Sequence, residues 1–273
     1  MTDVKSSDDS GETSIRSLRA PAAPPDDGDA APPLARRMLS EAVGTALLVT
    51  VVVGSGIAAH QLSPNDVGLQ LLENSIATAF GLVVLILQFG PVSGAHFNPV
   101  VSLIDWLLGH RSGHGLPLRD VGAYTLAQTV GAIAGAVLAN AMYSLAPLQV
   151  STHHRVTAGV LLGEVVATAG LIGLIFALAR SGRAPLSAAV VGAYIGSAYW
   201  FTSSTSFANP AVTIGRIFSD TFAGIAPASV APFIAAQLVG AGVGAALVRT
   251  LYPDVGLATD DVVVAHLDLH EHP

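Results

Sequence analysis

Asparagine followed by proline occurs twice in the chain, at Asn98-Pro99 and Asn209-Pro210. Each pair opens an apolar stretch, 98–109 and 209–218, that is patterned like a helix. Both stretches fall short of the roughly 20 residues that cross a bilayer. Asparagine is a favoured N-cap, and proline suits the first helical position because its missing N–H would have no partner there. Each pair is therefore predicted to start a half-helix, with a positive dipole end at its asparagine. Two such ends brought face to face repel cations, hydronium included. The side-chain amides of Asn98 and Asn209 can donate to the oxygen of a neutral solute. The chemistry on offer is selection, with no bond made or broken.

Other polar residues lie in apolar surroundings. Glu41 opens the motif Glu41-x-x-x-Thr45, and Glu164 opens Glu164-x-x-x-Thr168. Carboxylates at such depth are costly and functional by default. They read either as acceptors for backbone N–H groups of the half-helix loops or as a proton relay in a carrier. The first reading is preferred, because those loops hold donors that need partners. Gln128 and Gln237 read as hydrogen-bonding links between helices, and His96 as a brace for the loop before Asn98. No Ser/His/Asp arrangement, phosphate loop or catalytic carboxylate pair stands out, and the chain has no cysteine. Neither an enzyme nor a cofactor or metal site is expected.

The elements around these residues follow from composition. Hydrophobic residues make up 51% of the 273 residues and charged residues 11%, with a mean hydropathy of +0.60. Soluble domains carry roughly 25% charge, so this composition excludes a soluble enzyme and favours a chain solvated by lipid. From Met38 to Tyr252 seven acids balance seven bases, which leaves no basic patch for nucleic acid. Six apolar stretches, approximately 38–59, 71–89, 121–145, 156–179, 186–202 and 233–252, are predicted to span as helices, since lipid offers the backbone no hydrogen bonds. The expected fold is an all-α membrane protein with six transmembrane helices and two re-entrant half-helices. The acidic, proline-rich residues 1–37 read as a disordered tail, residues 38–252 as the membrane domain and 253–273 as a second tail.

The two halves of this domain, 38–146 and 156–252, repeat each other. Asn98-Pro99-Val100 returns as Asn209-Pro210-Ala211, 111 residues later. Ala127-Gln128-x-Val130-Gly131-Ala132-x-x-Gly135-Ala136 returns as Ala236-Gln237-x-Val239-Gly240-Ala241-x-x-Gly244-Ala245. Three spans separate Glu41 from Glu164, and an odd number inverts the second half, as in inverted-topology repeats. The half-helices then dip in from opposite faces and meet at the midplane. With the N-terminus inside, seven arginines fall on the cytoplasmic side and two, Arg155 and Arg216, outside, as the positive-inside rule favours. Both tails are then cytoplasmic and the protein sits in the cell (inner) membrane.

Ser93-Gly94-Ala95-His96-Phe97-Asn98-Pro99-Val100 and Ser206-Phe207-Ala208-Asn209-Pro210-Ala211 resemble the two signature boxes of the aquaporin, or major intrinsic protein, family. The likeness covers residues 38–252. It implies one pore per subunit, a homotetramer, and passive flow of water and small neutral solutes without a cofactor. The exclusion of protons by opposed half-helix ends is a known property of aquaporin-type pores. In this resemblance Asn98, Pro99, Val100, Asn209, Pro210 and Ala211 form the central constriction.

The chain departs from the family pattern at one informative place. Water-selective relatives carry arginine immediately after the second box, and here that position is Val212. The outer filter is expected to be wider, less polar and less cationic. Its second-helix member is Thr78 by ungapped count or Phe80 by motif, and its fifth-helix member is Ser197 or Tyr199. The ungapped pair, Thr78 and Ser197, is preferred. Ser206 and Phe207 are expected to line the outer approach, and Arg216 to sit at the outer mouth beside Asp220. A filter of this kind favours polyols, urea and undissociated metalloid acids such as arsenous acid. The second box and its flanks are similar to a bacterial branch associated with arsenic resistance.

Overall fold

The computed structural model describes residues 32–111 and 113–253, and those residues contain helices and no strand. The helices are α1 (Leu34–Leu62), α2 (Val67–Ser93), α3 (Pro99–Gly109), α4 (Leu118–Met142), α5 (Ala158–Arg180), α6 (Ser187–Phe201), α7 (Pro210–Gly215) and α8 (Pro227–Leu251). Helices α1, α2, α4, α5 and α8 are each long and apolar enough to cross a membrane. Helix α6 has only 15 residues, about 22 Å at 1.5 Å per residue, and a 3-10 turn at Ala184–Leu186 leads into it. These six with the short α3 and α7 make up the expected all-α architecture.

Several boundaries differ from the sequence reading by a few residues, and two of the differences are informative. Helix α1 begins at Leu34, inside the stretch expected to be an irregular tail. Arg37 explains the early start: its Nη2 donates to Asp120 Oδ2 on α4 at 2.7 Å and its Nε to Pro32 O at 3.0 Å. An ion pair thus ties the first helical turn to a neighbour. Residues 1–31 and 254–273, read as tails, lie outside the described residues. The second half-helix is α-helical only to Gly215 and tightens into a 3-10 turn at Arg216–Phe218. There the Arg216 carbonyl accepts from Ile225 N at 3.3 Å rather than from the next helical turn.

Packing repeats with the sequence. The most extensive helix pairs are α1 with α4 and α5 with α8. In the first, a Cβ added at Gly131 or Gly135 would run into the carbonyl of Ala42 or Ala46; in the second, one at Gly240 or Gly244 would run into that of Val165 or Ala169. Small residues let backbones approach where lipid supplies no hydrophobic drive. Thr50 uses the closeness, donating from Oγ1 to Gly135 O at 3.1 Å.

These contacts predict position-dependent costs. Gly131→Ala and Gly240→Ala should each destabilise by about 1–3 kcal/mol through overpacking. Gly122→Ala and Gly242→Ala, where an added Cβ meets nothing within 4 Å, should be neutral or slightly stabilising through helix propensity. Thermal unfolding of the four variants in detergent checks this, and equal midpoints would remove the close-approach account.

Candidate pore and its supporting carboxylates

The loops that precede α3 and α7 leave the helical ladder inside the membrane domain, so their N–H groups need acceptors. Glu41, on α1, accepts from His96 N at 3.0 Å and Phe97 N at 2.7 Å. Glu164, on α5, accepts from Phe207 N and Ala208 N, both at 2.9 Å. Gln128 holds Glu41 from α4 at 2.7 Å, and Gln237 holds Glu164 from α8 at 2.6 Å. Each glutamine also donates to a hydroxyl on its half-helix: Ser102 Oγ at 3.2 Å for Gln128 and Thr213 Oγ1 at 2.9 Å for Gln237. Both glutamates and both glutamines are fully buried. A glutamate bonded on both oxygens to backbone and amide donors is a fixed acceptor, which the proton-relay reading does not require.

The loops share an unusual backbone. Ala95 and Phe97 have φ of 47° and 49°, and their counterparts Ser206 and Ala208 have 49° and 46°. Left-handed conformations in non-glycine residues cost energy and persist where surroundings hold them. The carboxylates supply that hold, with a serine hydroxyl in each loop: Ser93 accepts from Ala95 N and Ser204 from Ser206 N, both at 3.2 Å. His96 braces its loop through Nδ1 to Ser102 Oγ at 3.0 Å.

These turns aim the two asparagines. Asn98 Oδ1 accepts from Val100 N at 3.1 Å, and Asn209 Oδ1 from Ala211 N at 3.0 Å and Val212 N at 3.2 Å. Both are N-caps, with Pro99 and Pro210 opening the helices. The amide nitrogens reach across the repeat: Asn98 Nδ2 donates to Ala208 O at 2.8 Å and Asn209 Nδ2 to Phe97 O at 2.7 Å. The sequence reading offered these amides to a solute. One N–H of each ties the opposite loop.

A cavity runs past both asparagines. Leu48, Leu82, Ile86, Leu171, Ile175 and Val191 contribute apolar lining, and His96, Asn98, Asn209, Thr78, Tyr199 and Arg216 polar groups. Val212, Ser206 and Phe207 also line it. Thr78 Oγ1 and Tyr199 Oη are hydrogen-bonded at 3.1 Å. Two of the alternatives for the filter are therefore misplaced: Ser197 is exposed on α6 and donates to Tyr194 O within its own helix at 2.8 Å, and Phe80 is 70% exposed on the outer face of α2. Two residues along a helix turn a side chain by about 200°, so Tyr199 faces inward where Ser197 faces out.

Arg216 is also corrected. It is 3% exposed and lines the cavity. Its partners are the Ala223 carbonyl, which accepts from Nε, and the Phe207 ring 3.4 Å below its guanidinium. Asp220 pairs elsewhere: the Thr152 backbone N–H, donating at 2.8 Å, holds its carboxyl below the usual range, and His153 lies 3.8 Å away. The sequence reading passed over Ser93, Ser102, Ser204 and Thr213. Their signal was present, since Ser93 and Ser204, like Ser102 and Thr213, stand 111 residues apart, as the asparagines do.

Five long helices and the shorter α6, two half-helices meeting at capped N-termini and a passage between them define a passive membrane channel for small neutral solutes, not an enzyme. The model of the family described as Major intrinsic protein matches residues 30–206. The chain is 49% identical over 218 residues to aquaglyceroporin AqpS of Rhizobium meliloti, covering 80% of this chain and 91% of that one. It is 32% identical to a glycerol uptake facilitator protein of Pseudomonas aeruginosa, covering 72% and 78% of the two chains. The aquaglyceroporin structure from Plasmodium falciparum shares the fold, with a TM-score of 0.58 at 21% identity, over 83% of this chain and 100% of that one. The chain belongs to the major intrinsic protein family.

Two substitutions probe the site. Asn209→Asp sets a carboxylate against the Phe97 carbonyl and removes the donor. It should lower glycerol permeability in proteoliposomes roughly tenfold, about 1.4 kcal/mol. Glu164→Gln replaces an acceptor by a donor among donors and should cost about 1–3 kcal/mol in thermal unfolding. In the same variant glycerol flux should stay indifferent to an imposed proton gradient; a gradient-driven flux in the unmodified protein would restore the carrier reading.

Proposed function

We propose that the pore conducts uncharged hydroxylated solutes larger than water, with water beside them: polyols, urea and undissociated metalloid acids such as arsenous acid. The observation that carries this reading is Val212. It lines the cavity one turn beyond the capped asparagine, and the Thr78–Tyr199 hydroxyl pair, Ser206 and Phe207 line the same cavity. We assign the selectivity filter to these five residues and the central constriction to Asn98, Pro99, Val100, Asn209, Pro210 and Ala211. A cavity lined mainly by apolar side chains with a few hydroxyl and amide groups suits a molecule with carbon or a metalloid at its centre and oxygens around it. Relatives named for glycerol uptake, for propanediol uptake and as an aquaglyceroporin favour the same class. A water-selective pore, the alternative, fits less well with valine at this position.

The protein is proposed to work as a homotetramer in the inner membrane with both termini cytoplasmic. The arginine asymmetry of its loops supports the orientation. A shrinkage panel in proteoliposomes tests the solute class, using water, glycerol, urea and arsenous acid. Glycerol, urea and arsenous acid should each pass well above the rate of empty vesicles. Val212→Arg should then reduce glycerol and urea flux roughly tenfold or more, about 1.4 kcal/mol of added barrier, with a far smaller effect on water. Equal losses for water and solutes would remove the filter assignment.

A further inference from the structure

We propose that Arg216 is the cation of the outer filter, supplied one helical turn later than the position that follows the second box. Arg216 comes four residues after Val212, which places it on the same face of the half-helix, about 6 Å farther from the asparagines. Both residues line the cavity. A valine at the first position leaves room for the arginine at the second to border the same passage.

Three observations give Arg216 a task beyond packing. It is 3% exposed, yet among the described residues no carboxylate lies within ion-pair distance of it. A buried charge without a carboxylate in contact is costly, and within a membrane such a group marks function by default. Its guanidinium lies 3.4 Å over the Phe207 ring and its Nε is held by the Ala223 carbonyl, so a fixed platform aims the head. Nη1 and Nη2 make no protein hydrogen bond among the described residues, which leaves two forked donors for a solute's oxygen. Arg155 nearby shows the contrast. Its guanidinium is 5.4 Å from the same ring, but its Nε and Nη2 are consumed by the carbonyls of Gly224 and Phe222 at 2.7 and 2.8 Å. Arg155 braces a loop; Arg216 faces the passage.

Displacing the cation separates two properties of the filter. The width at Val212 admits bulkier neutral solutes, while the charge at Arg216 still bars cations. The inference rests on the channel reading, so its test measures both. Full-length protein in liposomes is assayed for glycerol-driven shrinkage and for proton leak under a potassium gradient with valinomycin. Arg216→Gln should raise the proton leak roughly tenfold or more, while glycerol still crosses well above the rate of empty vesicles. Arg216→Lys should stay tight. Val212→Arg combined with Arg216→Gln should restore tightness and lose glycerol flux. Should the glutamine variant not assemble, Arg216→Met, which keeps the apolar stem, carries the same comparison. Conducting vesicles whose leak is unchanged in Arg216→Gln or Arg216→Met, or equally raised in Arg216→Lys, overturn the inference. Unmodified protein that moves glycerol no faster than empty vesicles overturns the channel reading instead.

Discussion

Backbone that leaves the helix inside a membrane must find its hydrogen-bond partners within the protein. Here the requirement falls on the two loops before α3 and α7, and two glutamates meet it. Much else depends on this. The carboxylates hold Ala95, Phe97, Ser206 and Ala208 in a conformation they would not choose alone. That conformation turns Asn98 and Asn209 into caps whose spare N–H groups cross to the opposite loop. The caps bring two positive helix ends together beside the passage. A group that is costly to bury is thus the keystone of a pore that refuses charge.

The repeat supplies the frame, and the chain departs from it at particular places. Glycines, glutamates, glutamines and asparagines obey the two-fold relation closely, and so do the hydroxyls of Ser102 and Thr213. Some positions along the passage do not. His96 corresponds to Phe207, and Asp105, bonded to Leu116 N at 2.7 Å, corresponds to Arg216. One mouth therefore carries an imidazole braced by a serine, and the other a guanidinium lying on a phenyl ring.

The fold was legible in the sequence wherever local chemistry was decisive. Asparagine and proline announced the half-helices because capping acts within a few residues. Carboxylates in apolar spans announced a structural task, since hydrocarbon tolerates few explanations for them. The filter was harder to read. Choosing Tyr199 over Ser197 requires the rotation of α6 about its axis, and an almost wholly apolar helix carries no stripe to reveal it. Arg216 was misplaced by treating an arginine near a mouth as solvated. Its spacing of four from Val212 pointed inward instead. The cross-loop bonds join residues more than a hundred positions apart, and no local pattern records them.

Those bonds bear on how the protein is made. A chain growing from its N-terminus produces Asn98 well before the Ala208 carbonyl that it binds, 110 residues later. At the usual pace of synthesis this delay is roughly 5–20 s. Until then the first loop holds an amide and a Phe97 carbonyl with no mate. The nascent first half is thus an incomplete insert that has to keep its re-entrant segment hydrated. Arrival of the second half closes both loops together, so the last third of translation decides whether the earlier portion settles at all.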